Sequence, residues 1–238
     1  MNALLKAELL KLRTTRTFAI VVGVSALFSV LLAVLGATVE KNITAHDLFT
    51  NNSITYVIVL LGAIGMTGEW RHRTITSTIL ASPDRVRLLS AKAIASAAAG
   101  VALVFLVTLV TMIAGTIALK AGGHATLGVG GLADVMWRNL AVAAVLGPFG
   151  VAIGALGRNQ IVTVIGLIAV ASFLEPQLFA ASQAVGRFGP LSEAPASVLG
   201  GATTDGMLAA GPAFVVMVAW AAAAFGAAAI RLRNRDLV

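Results

Sequence analysis

Long apolar stretches separated by short charged clusters set the pattern of this chain. A helix needs roughly 20 apolar residues to cross a hydrocarbon core about 30 Å thick. Six stretches, residues 17–39, 48–70, 91–119, 137–157, 159–175 and 211–230, are read as such spans. The first, third and sixth are the clearest. The fourth contains Gly147-Pro148, which predicts a kink. The fifth is short and ends at Glu175-Pro176, where the helix is expected to bend or stop. Residues 176–205 are apolar but broken by Pro176, Gly189-Pro190, Pro195 and Gly200-Gly201. They predict one or two short re-entrant or interfacial helices, packed on the bundle at the end away from the cytoplasm. The Gly-rich segment 120–137 reads as a loop. Residues 1–15 predict a helix with Leu5, Leu9 and Leu12 on one face and Lys6 and Arg13 beside it. Such a helix lies in the membrane interface with its cations snorkelling to headgroups, or simply anchors the first span. The fold class is therefore all-α: a polytopic membrane protein of six transmembrane helices in a single domain, 1–238.

Composition agrees with that pattern. Hydrophobic residues make up 58% of the 238 and charged residues 11%, against about 25% charged in soluble domains. With so little polar surface available, the membrane class follows. The net charge of +7 does not point to nucleic acid. The basic residues sit at the ends of apolar runs and no basic aromatic surface accompanies them. They serve instead as topology signals. With the N-terminus in the cytoplasm, thirteen of the seventeen Lys and Arg fall in cytoplasmic segments and four (Lys41, Lys120, Arg138, Arg187) outside. Both termini are then cytoplasmic. The first apolar run exceeds the 7–15 residues of a cleaved signal, so it is expected to be retained. Cysteine is absent, which excludes disulfides and thiol chemistry. His46, His72 and His124 lie in three different loops and make no metal-ligand set.

The segment from Gly68 to Lys92 is richer than a connector requires. Ile75, Ile79 and Leu80 lie about one helical turn apart, predicting a short helix with an apolar face. Ser82-Pro83-Asp84 then reads as a helix start, with Ser as cap, Pro at the first position and Asp at the positive dipole end. Arg73, Thr74, Ile75, Thr76, Ile79, Leu80, Ser82, Pro83 and Arg85 form a candidate docking knob for a cytoplasmic partner. The plainer reading is a solvated basic loop. Gly150-x-x-x-Gly154, and more weakly Ala222-x-x-x-Gly226, are small-residue faces that permit close helix packing, within one chain or between two.

The opening "LLKAELLKLRTTRT" together with "GEWRHRTITSTILASPDRVRLLSAK" resembles the type-2 ABC exporter permeases. In that resemblance an amphipathic helix opens the chain and the second span ends at a Glu, here Glu69. A basic-Thr step (Arg73-Thr74), a coupling helix (Ile75 to Ala81), Ser82-Pro83-Asp84-Arg85 and a lysine (Lys92) follow. The resemblance implies a transport subunit rather than an enzyme, with ATP and Mg bound by a separate cytoplasmic ABC ATPase and no cofactor on this chain. It implies a second permease copy, identical or homologous, in the cell membrane of a bacterium. Consistently, no Gly-Lys-Ser/Thr phosphate loop occurs in the sequence. Glu69 and Arg71 are then candidates for an ion pair that transmits motion, and Glu175 either lines an outer gate or is exposed at the rim. Spans two and five would line the path, with Thr55, Thr67, Thr163 and Ser172 as its polar groups. The alternative is a non-transport membrane protein that recruits partners through its basic loop. A membrane enzyme would need buried catalytic polar groups, which the sequence does not offer. The cargo is not legible.

Overall fold

The computed structural model describes residues 2–14, 16–39, 43–50, 53–72, 74, 84–200 and 206–234. Among them there is helix and no strand, and six helices are long and apolar enough to cross a membrane. These are α2 (Arg16–Val39), α4 (Ser53–Arg71), α5 (Arg85–Ala121), α6 (Val129–Gly157), the run Gln160–Ala181 and α11 (Ala210–Asn234). The run Gln160–Ala181 comprises α7 (Gln160–Ala169), a π turn (Val170–Leu174) and α8 (Glu175–Ala181). Shorter helices are α1 (Asn2–Thr14), α3 (Ala45–Phe49), α9 (Gln183–Gly186) and α10 (Glu193–Leu199).

Several boundaries differ from the sequence reading, each for a local reason. The α5 helix starts at Arg85, and its N-cap is Asp84, whose carboxylate accepts from the N–H groups of Val86 and Arg87. Asp satisfies two of the orphan donors of the first turn, so the cap falls on Asp84 and not on Ser82. The expected glycine-rich loop is helical from Val129 onward, because Val135 on that added turn is fully buried and Leu127 packs on Gly131. Pro148 lies inside α6 without interrupting it. The fifth span does not stop at Glu175-Pro176. The N–H of Glu175 bonds Val170 O, five residues back; this widened turn lets the helix continue through a proline that supplies no N–H of its own.

The α6 helix is the axis of the bundle and packs on α4, α5 and α11. Glycines set its approach to its neighbours. A Cβ on Gly150 would lie 2.1 Å from Val59 O, one on Gly154 2.8 Å from Ala63 O, and one on Gly147 2.8 Å from Ser96 O. A Cβ on Gly62, from the α4 side, would meet Gly147 O at 2.4 Å. The Gly150/Gly154 face is thus spent inside the chain, on α4, whereas Gly226 meets nothing within 4 Å. The main core joins Ile58, Met66, Leu89, Leu103, Leu146 and Met217, and a smaller one joins Ala37, Leu48, Phe49, Met112, Leu119 and Val135 at the other end. Both α2 and α7 are peripheral and expose apolar faces, including Leu27, Leu31, Ile161 and Ile165.

Candidate functional site

At one end of the bundle, four charged side chains from three helices meet. Glu69, in the last turn of α4, is buried at 2% exposure, and Lys92, two turns into α5, at 5%. Lys92 Nζ lies 2.6 Å from Glu69 Oε1 and 2.8 Å from Glu8 Oε1 on α1. Lys11 Nζ, also on α1, is 2.5 Å from the same Glu69 Oε1. The four formal charges cancel, which buried ions require if desolvation is not to unfold the site. Glu69 Oε2 is buried without a hydrogen-bond partner among the described residues. The network therefore ties the N-terminal helix to both helices that flank the segment 72–84. At the exit of α4 the backbone N–H of Thr74 donates to Glu69 O, and the side chain of Thr74 is exposed.

Arginines brace the same end. Arg231 Nη1 donates to Leu156 O at 2.6 Å and Arg85 Nη1 to Leu232 O at 2.7 Å, each reaching the last carbonyls of a neighbouring helix. Arg71 Nη1 reaches Gln160 Oε1 at 3.3 Å, and the Arg158 guanidinium sits 4.7 Å from the Trp70 ring centroid. Arg158 itself closes the α6–α7 turn in the left-handed conformation, φ 56°.

Of the sequence-predicted residues, Glu69 is in the network, but Arg71 is not its partner. Residues two apart on a helix point to different sides, so Arg71 turns to α7 while Glu69 faces α1 and α5. Arg85 is tied to the end of α11. Arg73, Ile75, Thr76, Ile79, Leu80, Ser82 and Pro83, and with them the expected coupling helix, lie outside the described residues. Glu8 had not been singled out, and Lys11 only as a topology charge.

At the opposite end, Glu175 is buried at 3% and so is not exposed at a rim. Its carboxylate accepts from the N–H groups of Leu191 and Ser192 and from Ser192 Oγ, 2.7–3.1 Å away. It thereby fixes the start of α10 against the fifth span. Ser192 Oγ is also 3.3 Å from Glu193 Oε1. Burial raises the Glu193 carboxyl above its ordinary value of 4.5, opposed by the Ser192 hydrogen bond. His46 Nε2 meets Gly200 O at 2.9 Å and Arg138 Nη1 donates to Val198 O at 3.0 Å, closing this end over α10. The threonines read as path-lining groups face the chain's own interior. Thr55, Thr67 and Thr163 are 1%, 0% and 6% exposed, and the last two hydroxyls donate to Ala63 O and Asn159 O. Ser172 is exposed.

Residues 4–175 match the family described as ABC-2 family transporter protein. The chain belongs to that family. The matched stretch holds the whole ionic network and ends at Glu175, and no individual curated protein matches the chain. The permease is thus a membrane transport subunit of the ABC type.

Proposed function

We propose that this permease is the membrane-spanning half of an ABC exporter, pairing with a second permease copy and driven by a separate cytoplasmic ATPase. Both termini and the segment 72–84 face the cytoplasm in this reading, in keeping with the Lys and Arg distribution. The observation that carries it is the buried Glu69–Lys92 pair with Lys11 and Glu8. A motor pulling on the segment 72–84 would load the ends of α4 and α5 together with α1, because the three are joined by charge. Closure of two ATPases on ATP would then rock the halves between inward and outward openings, a population shift driven by differential ATP binding.

The test is co-expression of the chain with the ABC ATPase of its host. An ATPase that co-purifies with the wild type, and is lost on Ala replacement across Ile75 to Leu80 while the chain still inserts, supports the reading. If no ATPase co-purifies, and the same replacements leave transport intact, the reading fails. A different partner captured through the same loop, without ATP-dependent transport, would favour a recruiting protein instead.

A further inference from the structure

A partly open cavity of about 390 Å³ lies beside the ionic network, between α1 and the start of α2 on one side and α4 and α5 on the other. That volume is within the roughly 300–1,000 Å³ of small-molecule sites. Its walls are apolar: Phe18, Leu61, Ile64, Met66, Ala99 and Val151. The space exists because side chains are missing from one face of α4. Gly65 and Gly68 both line it, and a Cβ at either would meet nothing within 4 Å. These glycines therefore differ from Gly62, Gly147, Gly150 and Gly154, which admit a neighbouring helix. They leave room that no described residue of the chain fills.

The cavity is amphipathic along its length. Water needs two to four polar partners to settle, and among the described residues the apolar part offers only the Ser96 hydroxyl. Its other part carries Glu8, Lys11, Glu69 and Lys92, with the exposed His72 and Thr74. Glu69 and Lys92 are buried, each paired with the other and with a residue of α1. Glu8 and Lys11 remain partly accessible, with side chains 15% and 53% exposed. A ligand thus meets the exposed sides of one carboxylate and one ammonium, each already paired inward with Lys92 and Glu69, beside an apolar slot. A head of a single sign would be repelled by one as it is attracted by the other.

We propose that this cavity binds a single-chain zwitterionic amphiphile, its apolar chain over Gly65 and Gly68 and its head across Glu8 and Lys11. The site does not depend on the transport reading, since binding is measured on the permease alone.

The test uses the full chain in lipid nanodiscs and an alkylphosphocholine with a diazirine on its chain. Photolabelled residues are mapped by mass spectrometry. Labelling of 61–68 and 95–99 should saturate and be displaced by unlabelled alkylphosphocholine. Labelling of the exposed α2 face at Leu27 and Leu31 should be neither saturable nor displaced. Gly65→Leu/Gly68→Leu should weaken cavity labelling about tenfold, equivalent to about 1.4 kcal/mol, and leave α2 labelling unchanged. Wild-type competition is informative even if that variant does not fold. Chain-matched alkyltrimethylammonium and fatty acid should compete about tenfold less well than the zwitterion. Labelling of the cavity that cannot be displaced overturns the site, and equal competition by all three heads overturns the assignment of its headgroup.

Discussion

Lys11 and Lys92 share a single oxygen of Glu69, and Glu8 takes up the remaining charge on Lys92. The site is therefore stable as a neutral set of four, not as any one pair. Lys92→Met leaves two carboxylates facing one ammonium in a buried setting, and breaking a buried pair in this way costs about 3–5 kcal/mol. Glu69→Gln/Lys92→Met restores neutrality between Glu8 and Lys11 and should recover most of that loss. Lys11→Met removes a half-exposed partner and should cost only about 1 kcal/mol. Unfolding in mixed detergent, followed by tryptophan fluorescence, gives the three values; a double variant no more stable than Lys92→Met would refute charge balance as the cause. The sequence brought Glu69 forward and also Lys92, but paired Glu69 with Arg71 by proximity along the chain. Helical geometry separates i and i+2, so the true partners had to come from other helices. One local signal was available. Glu8 is the sole acidic residue among the first 39, three positions before Lys11, so the two share a face of α1.

At the level of the helix, glycine does two opposite jobs in this chain. Gly150 is pressed on a carbonyl, since a Cβ there would sit 2.1 Å from Val59 O and 3.1 Å from the backbone nitrogen of Ala63. Gly150→Ala must push α6 off α4 and is expected to destabilise by about 1–3 kcal/mol. Gly226 on α11 meets nothing within 4 Å. Gly226→Ala should therefore be neutral or stabilise by up to about 1 kcal/mol through helix propensity. The same detergent titration separates them, and equal effects at the two sites would show that close approach is not what Gly150 provides. The existence of the helices was legible because apolar runs of about 20 residues admit little else in a membrane. Their ends were less so. The 120–137 segment looked like loop from its glycines, yet Val135 is needed in the core. Pro176 looked like a stop, yet a single π turn absorbs it. In the first case tertiary packing overrode a local breaker signal, and in the second a change of helical hydrogen bonding did; one sequence read in isolation carries neither.

Across the whole molecule, the two ends treat buried charge differently. At the α1 end every buried carboxylate has a lysine. At the other end Glu175 and Glu193 share Ser192, and no described Lys or Arg makes an ion pair with either. A serine hydroxyl has one hydrogen to give. If Ser192 Oγ donates to Glu175, at 2.8 Å, it has no hydrogen left for Glu193 Oε1, at 3.3 Å, and a charged Glu193 loses that donor. Burial acts in the same direction, lifting the Glu193 carboxyl above 4.5. A carboxyl whose value is raised by folding stabilises the fold while it is protonated in the native state. That contribution is complete below about pH 4.5 and fades as pH climbs through the raised native value. Through this group the permease should thus lose stability as pH rises from about 4.5 toward the raised native value. Glu193→Gln keeps a donor for Ser192 and carries no charge at any pH, so it should be the more stable form at pH 7. The difference in melting temperature between wild type and Glu193→Gln, measured from pH 4.5 to 8, cancels the titrating groups that Glu193 does not touch. It should widen in favour of the variant above about pH 4.5 and level off once pH passes the raised native value. A difference that stays flat would mean that folding does not raise the Glu193 carboxyl, and that its burial beside Ser192 and Glu175 carries no titration penalty.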